Sequence, residues 1–552
     1  MRTWTLAATL AALLAGCADM AAMPESAGSW QAASQGDAGS VQGDSSKASD
    51  ATSDAASGMA APGTGMGETG FGLKPGGAQD IAFFRMKLAA KQLPKAADMS
   101  IEGWLNEHDT VLPAAAKDRT VSLHALAALL QPEPGGETDA VLQIGLNSAK
   151  SLADVTDKVA LTIVIDRSGS MSGDKMAHVR AGLHELVQHL PKDAQVALVS
   201  FGTDVSTDVA PEVVDPAQKA VLAKAIDALQ PAGGTNLHGG LALGLEHCKK
   251  ASAEFKFRRI LLLSDGVPTE GNTSKAAIEA LATAATAAGC SVSTVGVGFD
   301  FDVQLMMRLA KNGNGTAWFV QSAAHAKQVF VQDLETMLLP VAEKLTLTLK
   351  LATDWKVKDI FGFNWVEKNG EVQVTGPTQD AQTPDNPKQP PTDGKDIALP
   401  TLYASKRNGM VMVQLQAPAG TNLSQAKELL LATVTYGYTL AKTTTPEQFA
   451  VPVQVPGLVD VPDEGLQYFT SPVVRRSWLL LHTGLDLMAA CKLAEANQMQ
   501  SATAVVDAAL ARMDAHVKLV PAVDWLAVDA SAPDLADARQ LLMAVKGLLV
   551  KP

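Results

Sequence analysis

Aromatic side chains are scarce, at 5% of the 552 residues with only four tyrosines, while alanine is abundant, so the cores this chain can build are aliphatic. Basic charge is also in short supply. The 45 Lys and Arg set against 58 Asp and Glu leave a net charge of −13, with a pI near 5.3. That balance excludes a nucleic-acid surface, which needs a basic face. Four cysteines are too few for a disulfide scaffold. Cys17 belongs to the N-terminal leader. Cys248, Cys290 and Cys491 sit in apolar helical or strand contexts and read as buried thiols. An odd number excludes full intramolecular pairing, and a Cys248–Cys290 bridge in an oxidising compartment stays open as the alternative.

What is present is organised around residues 159–171, VALTIVIDRSGSM, where a near-continuous apolar run ends abruptly in Asp166-Arg167-Ser168-Gly169-Ser170. Such a run fits a strand covered on both faces, and the helical pattern that follows it implies a parallel α/β sheet. Open α/β sheets bind ligands outside the carboxyl ends of their strands. This strand end carries one carboxylate and two hydroxyls at alternate positions. Two later stretches bring the same kind of group to the same edge: PAGGTNL, with Thr235 in a loop before a helix, and ILLLSDG, a second buried strand ending at Asp265. Asp166, Ser168, Ser170, Thr235 and Asp265 together form a set of hard oxygen donors. Such a set suits Mg²⁺, with Mn²⁺ or Ca²⁺ also possible, rather than zinc or copper.

These three segments, in this order, resemble the von Willebrand factor type A domains, whose metal-ion-dependent adhesion site is Asp-x-Ser-x-Ser with a distant Thr and a distant Asp. The resemblance covers about residues 157–340. It implies that the five residues hold a divalent cation and that an Asp or Glu of a partner protein completes its coordination. The chemistry agrees: three neutral hydroxyls and two carboxylates leave a divalent cation electrophilic, and Mg²⁺ usually keeps waters or takes an outside oxygen. Metal-assisted hydrolysis would need a general base, and the three segments contain no His or extra Glu. His238 reads as a solvent-facing residue in the first turn of a helix. Gly296 and Gly298, in STVGVGFD, read as a strand end with close backbone approach, since no Lys or third glycine makes them a phosphate loop. The site is read as a docking point and not as an active site.

Along the chain, residues 1–17, MRTWTLAATLAALLAGC, have the layout of a secretory signal too short to span a bilayer. Their end resembles a bacterial lipoprotein box, which implies lipidation of Cys17. Ala18, in place of an Asp, favours the outer membrane, with the chain periplasmic or surface-facing. Residues 18–77 are nearly all Ala, Ser, Gly, Asp, Met and Gln without periodicity, and read as a disordered tether with a reach of roughly 45 Å. Residues 78–156 resume globular composition, with helices expected over 80–92 and 101–108 and a strand over 141–146 that joins a flanking domain. Trp104 and Glu107-His108-Asp109 read as a solvated helix end. Residues 157–343 are expected to be α/β, a doubly wound and mostly parallel sheet closed by a long helix over 323–343. From residue 344 to 460 the period changes to two, which predicts a β-sandwich interrupted by a Pro-, Asp- and Gln-rich loop at 375–396. Residues 461–552 read as a C-terminal helical region, with Arg475-Arg476 on a solvated face and His482 and His516 in packing or surface roles. The whole arrangement resembles the bacterial YfbK-like family of type A lipoproteins.

The sequence therefore points to a membrane-anchored, divalent-metal-dependent, adhesion-type binding module and not an enzyme. Its expected partners are a protein carboxylate and the membrane. The alternative is a scaffold or accessory subunit for assembly of a cell-envelope complex, with a structural metal. The leader generates the first prediction. The mature chain should partition into detergent and incorporate palmitate, and Cys17→Ser should move it to the soluble fraction; unchanged membrane association of that variant would refute the anchor.

Overall fold

The computed structural model describes residues 71–550 except 76, 79–80, 111, 131–138, 151–157, 192, 299–300, 321, 323–324, 327–328, 331–339, 362, 369–370, 378–401, 406–407, 419–427, 441–445, 457–471 and 519–532. Cys17, the leader, the tether up to residue 70 and most of the 375–396 loop lie outside the described residues.

The strands are β1 (Phe71–Pro75), β2 (Gly77–Ala78), β3 (Ser122–Leu130), β4 (Asp139–Ser148), β5 (Val159–Asp166), β6 (Gln195–Phe201), β7 (Val205–Val213), β8 (Phe257–Ser264), β9 (Cys290–Val297) and β10 (Thr316–Val320). They continue with β11 (Pro340–Leu351), β12 (Lys356–Phe361), β13 (Phe363–Lys368), β14 (Glu371–Pro377), β15 (Leu402–Ser405), β16 (Gly409–Gln416), β17 (Glu428–Leu440) and β18 (Pro446–Pro456). The helices are α1 (Ala82–Ala89), α2 (Ile101–Glu107), α3 (Asp174–His189), α4 (Pro216–Ala228), α5 (Leu237–Lys250), α6 (Lys275–Ala287), α7 (Val303–Asn312), α8 (Pro472–Glu495), α9 (Met499–Lys518) and α10 (Pro533–Leu549).

Seven strands form the expected doubly wound sheet, in the order β2-β10-β9-β8-β5-β6-β7, parallel throughout except for β7. Every residue of β5 is buried, because apolar helices cover both of its faces. On one face α3 and α4 contribute Met176, Val179, Leu183, Leu222 and Ile226 to the core. On the other, α5, α6 and α7 contribute Leu241, Leu245, Ile278 and Leu309. Local chemistry starts these helices where the sheet needs them. Asp215, Asn236, Ser274 and Asp302 each accept a backbone N–H as N-caps, satisfying donors that the first helical turn leaves unpaired. The chain passes from β5 to β6 on one side and later returns to place β8 on the other. The carboxyl ends of β5 and β8 therefore flank the point where strand order reverses, the position at which such sheets bind ligands.

A second, antiparallel sheet of eleven strands runs β12-β16-β4-β1-β15-β11-β14-β13, with β3 added to β4 and the β17–β18 pair added to β11. Strands β5 to β10 of the parallel sheet are inserted between its strands β4 and β11, while β2 comes earlier, between β1 and β3. One core of the antiparallel sheet is aliphatic with Tyr436 and Tyr438. A second core joins Ala128, Val141, Met410 and Met412 of the sheet to α1, α2 and the three C-terminal helices. Trp104 is fully buried there and donates its indole N–H to the Leu480 carbonyl at 2.6 Å.

Several expectations are corrected. Phe71–Pro75 and Gly77–Ala78 are strands and not tether: β1 pairs with β15 and β4, and β2 pairs with β10. Phe71 and Leu73 alternate with small or polar residues, but only distant partners turn that pattern into strand, and Leu73 is buried among them. The sandwich starts before residue 344, because Pro340 opens β11 where a closing helix was expected to run on to 343; the alternating apolar residues after it find β17. Cys248 and Cys290 form a disulfide with Cα atoms 6.3 Å apart, stapling the end of α5 to the start of β9. The Cys491 thiol is buried and free, and burial pushes its pKa up to about 12. Glu107-His108 is not solvated, since His108 is buried and Glu107 pairs with Arg85, which also reaches Asp537 of α10. Arg475 is likewise buried, and Arg476 pairs with Asp534. The C-terminal helices cover both places.

Buried charge between these layers generates the second prediction. Glu102 of α2 is 8% exposed and its Oε1 accepts no hydrogen bond from the described residues. Burial raises its pKa to about 8, only partly opposed by Lys311 and a backbone hydrogen bond at Ala78. The folded protein therefore holds a proton that the unfolded chain releases near pH 4.5, and stability falls as pH rises from that value to about 8. Glu102→Gln should remove this part of the fall in urea denaturation followed across the same window. Parallel profiles for variant and wild type would contradict it.

Candidate metal centre

The carboxylate of Asp166 ends β5 with no exposed surface, and both of its oxygens are held. Oδ1 accepts the backbone N–H of Ser168 at 2.8 Å and Oδ2 accepts the Ser264 hydroxyl, from the end of β8, at 2.6 Å. The loop after it is laced to its neighbours by backbone hydrogen bonds: Arg167 N–H to the Phe201 carbonyl at 2.7 Å, Ala232 N–H to the Arg167 carbonyl at 2.7 Å, and Gly169 N–H to the Gly233 carbonyl at 3.0 Å. A 3₁₀ turn at Gly169–Met171 leads into α3. This lacing fixes where the two serine hydroxyls stand.

Ser168 is buried and Ser170 exposed, and their Oγ atoms are 2.9 Å apart. Ser170 donates to Asp265 Oδ1 at 2.8 Å. A run of oxygens thus leads from the interior to the mouth. Thr235 is held through its backbone, its N–H donating to Thr269 Oγ1 at 2.9 Å and its carbonyl accepting from the N–H of Thr269 and Glu270. The Cβ that Gly266 lacks would lie 3.1 Å from the Thr235 hydroxyl and 3.6 Å from that of Ser170. Glycine at 266 therefore leaves open the space that these two hydroxyls border. All five residues singled out in the sequence meet here. His238 does not join them; it is half-buried in the first turn of α5.

The donors fit a small divalent cation. The Ser168–Ser170 and Ser170–Asp265 separations of 2.9 and 2.8 Å are ordinary hydrogen-bond lengths, and they gather these oxygens closely enough to share one small ion. Every donor is a hard oxygen, as Mg²⁺ or Mn²⁺ prefers. The electrostatics run the same way. Burial raises the Asp166 pKa above its ordinary value, and the Asp265 charge adds to the rise against hydrogen bonds from Ser168 and Ser264. Asp265 also has no exposed surface, and the Lys175 ammonium lies 2.6 Å from its Oδ2. Two carboxylates and one ammonium leave an excess negative charge that a cation would neutralise.

Three participants were not singled out in the sequence: Ser264, Thr269 and Lys175. Ser264 directly precedes Asp265, so its place beside Asp166 could have been inferred from two adjacent buried strands. Lys175 carried no such signal, because its partner is 90 residues away. Glu270 is a further carboxylate near the rim, its Oε1 2.9 Å from where a Cβ on Gly234 would stand.

Residues 159–319 match the family model of the von Willebrand factor type A domain. YfbK of Escherichia coli (strain K12) is 27% identical over 228 residues, 41% of this chain and 39% of that protein. Inter-alpha-trypsin inhibitor heavy chain H4 of Homo sapiens is 28% identical over 233 residues, 40% of this chain and 24% of that protein. The chain thus spans less than half the length of the curated relatives it matches. Among solved structures, a von Willebrand factor type A protein from Catenulispora acidiphila aligns over 78% of this chain and 96% of its own, at 14% identity and a TM-score of 0.48.

The third prediction follows from the buried charge. Asp166→Asn should leave the metal-free melting temperature unchanged or higher, because a desolvated charge is removed, yet should lose the stabilisation that Mg²⁺ gives the wild type, about 2.7 kcal/mol at a hundredfold excess over Kd. Retention of the Mg²⁺-dependent rise in the variant would show that the cation is held elsewhere.

Proposed function

From a chain that carries a von Willebrand factor type A domain and is similar to YfbK, we propose that it is a metal-dependent protein-binding module held at the cell envelope by a lipid on Cys17. The observation that carries this reading is the run of oxygens gathered at the β5 and β8 ends by hydrogen bonds among Ser168, Ser170 and Asp265 and exposed to solvent on the Ser170 side. Asp166, Ser168, Ser170, Thr235 and Asp265 would hold Mg²⁺, or Mn²⁺ or Ca²⁺ in its place. The bound ion would supply a Lewis-acidic site for a partner's Asp or Glu carboxylate. The chain's own part is positional. Ser264 and the Ser168 N–H fix Asp166, Thr269 fixes the Thr235 backbone, and the lacing of the 167–169 loop sets the hydroxyls before any ion arrives. Pre-arranged donors limit the ordering cost of binding.

The carboxylates that meet hydroxyls here, Asp265 at Ser170 and Asp166 at Ser264, are the same two that would hold the ion, which favours binding over hydrolysis. The Cys248–Cys290 disulfide suits an oxidising, extracytoplasmic compartment and supports the location inferred from the leader, with the outer membrane favoured. The second reading, a scaffold for an envelope complex with a structural metal, draws on the full burial of Asp166 and Asp265, since an ion there would also stabilise the fold.

Chelation separates the two. With the mature chain immobilised and envelope extract applied in Mg²⁺ or EDTA, partner capture should require Mg²⁺, and Thr235→Ala should weaken capture more than it weakens Mg²⁺ binding. Capture that persists in EDTA while melting drops sharply would favour the structural metal. A captured partner's acidic peptide should lose binding when its key carboxylate is amidated.

A further inference from the structure

Lys175 stands in the first turn of α3, and its Nζ lies 2.6 Å from Asp265 Oδ2, while Oδ1 of the same carboxylate accepts from Ser170. The lysine is not a solvated surface residue: its side chain is 24% exposed, and its partner's is 0%. Its stem runs over the end of β9. A Cβ on Gly298 would stand 2.6 Å from Lys175 Cε and 3.3 Å from both Cδ and Nζ, and Gly298 has φ +79°, in the left-handed region that favours glycine. Three elements thus converge on one ammonium: α3 supplies it, the β8 end accepts it, and the β9 end makes room for it. The Gly-x-Gly at 296–298, otherwise a plain strand end, gains a purpose.

We propose that Lys175 is a resident counter-cation of the metal centre, neutralising Asp265 when the divalent ion is out and lowering the site's affinity for that ion. This rests on the metal-binding reading above. An ammonium on one oxygen of Asp265 and a divalent ion on the other repel each other at short range in a partly desolvated site. The long flexible stem lets the ammonium retreat, so the repulsion is softened but not abolished.

The test is Mg²⁺ calorimetry on the full chain as wild type, Lys175→Met and Lys175→Gln, with melting in EDTA and in saturating Mg²⁺. Both variants should bind Mg²⁺ about tenfold more tightly than wild type. Lys175→Met should also melt below wild type in EDTA, where Asp265 is buried without its ammonium, and the deficit should close in Mg²⁺. Unchanged or weaker Mg²⁺ affinity in both variants, with wild-type binding intact, would overturn the counter-cation and leave the metal centre standing. Absence of Mg²⁺ binding in all three proteins would overturn the metal centre itself, and the counter-cation with it.

Discussion

Two carboxylates, Asp166 and Asp265, stand at the ends of neighbouring parallel strands with no exposed surface between them. Charge buried in this way is costly unless it is hydrogen-bonded and countered, and the surroundings are arranged to meet that demand. Ser264 and the Ser168 N–H take the oxygens of Asp166, and Ser170 and Lys175 take those of Asp265. What results is a preformed concavity of oxygen atoms with excess negative charge at its floor and a hydroxyl at its mouth. The proposed affinity for a cation, and through it for a carboxylate, rests on that arrangement.

The rest of the chain keeps the sheet end in place. The parallel sheet is inserted into the antiparallel one, and residues 71–78 bind to both: β1 lies between β4 and β15, while β2 adds to the edge of the parallel sheet at β10. Helices α1 and α2 then pack against the C-terminal helices, with Arg85 linking Glu107 to Asp537. Arg85, Glu107 and Asp537 are each partly exposed, so their contribution to stability is modest; the apolar core that holds Phe84, Trp104, Leu480 and Leu542 contributes more. The disulfide at Cys248–Cys290 holds the far end of the parallel sheet, away from the ligand edge.

Much of this was legible in the sequence because it is local. An apolar run ending in Asp-x-Ser-x-Ser, a second one ending in Ser-Asp-Gly, and the helical patterns between them identify the doubly wound sheet and its functional edge. What was not legible depends on partners far along the chain. FGLKPGGA at 71–78 is too short and glycine-rich to declare itself as strand, and becomes one only beside β15 and β10. A sequence separation of 42 between Cys248 and Cys290 left their pairing open as an alternative to buried thiols, and the placement of α5 beside β9 decides it. His108, Arg475 and Arg476 read as solvated because nothing in their own neighbourhood tells that α8 and α10 will cover them. Lys175 is the same case at the site: its meaning comes from Asp265 and Gly298, both far away in the chain.

In the proposed function the five oxygen groups hold a divalent ion and leave one of its positions to an outside carboxylate. An anomalous difference map from crystals soaked in Mn²⁺, with and without an acidic peptide, tests this directly. One peak is expected, bounded by Ser168, Ser170, Thr235 and the two aspartates, with at least one non-protein oxygen on the ion that the peptide carboxylate replaces. A peak at another location, or an ion there whose coordination is completed by protein groups alone, would contradict it.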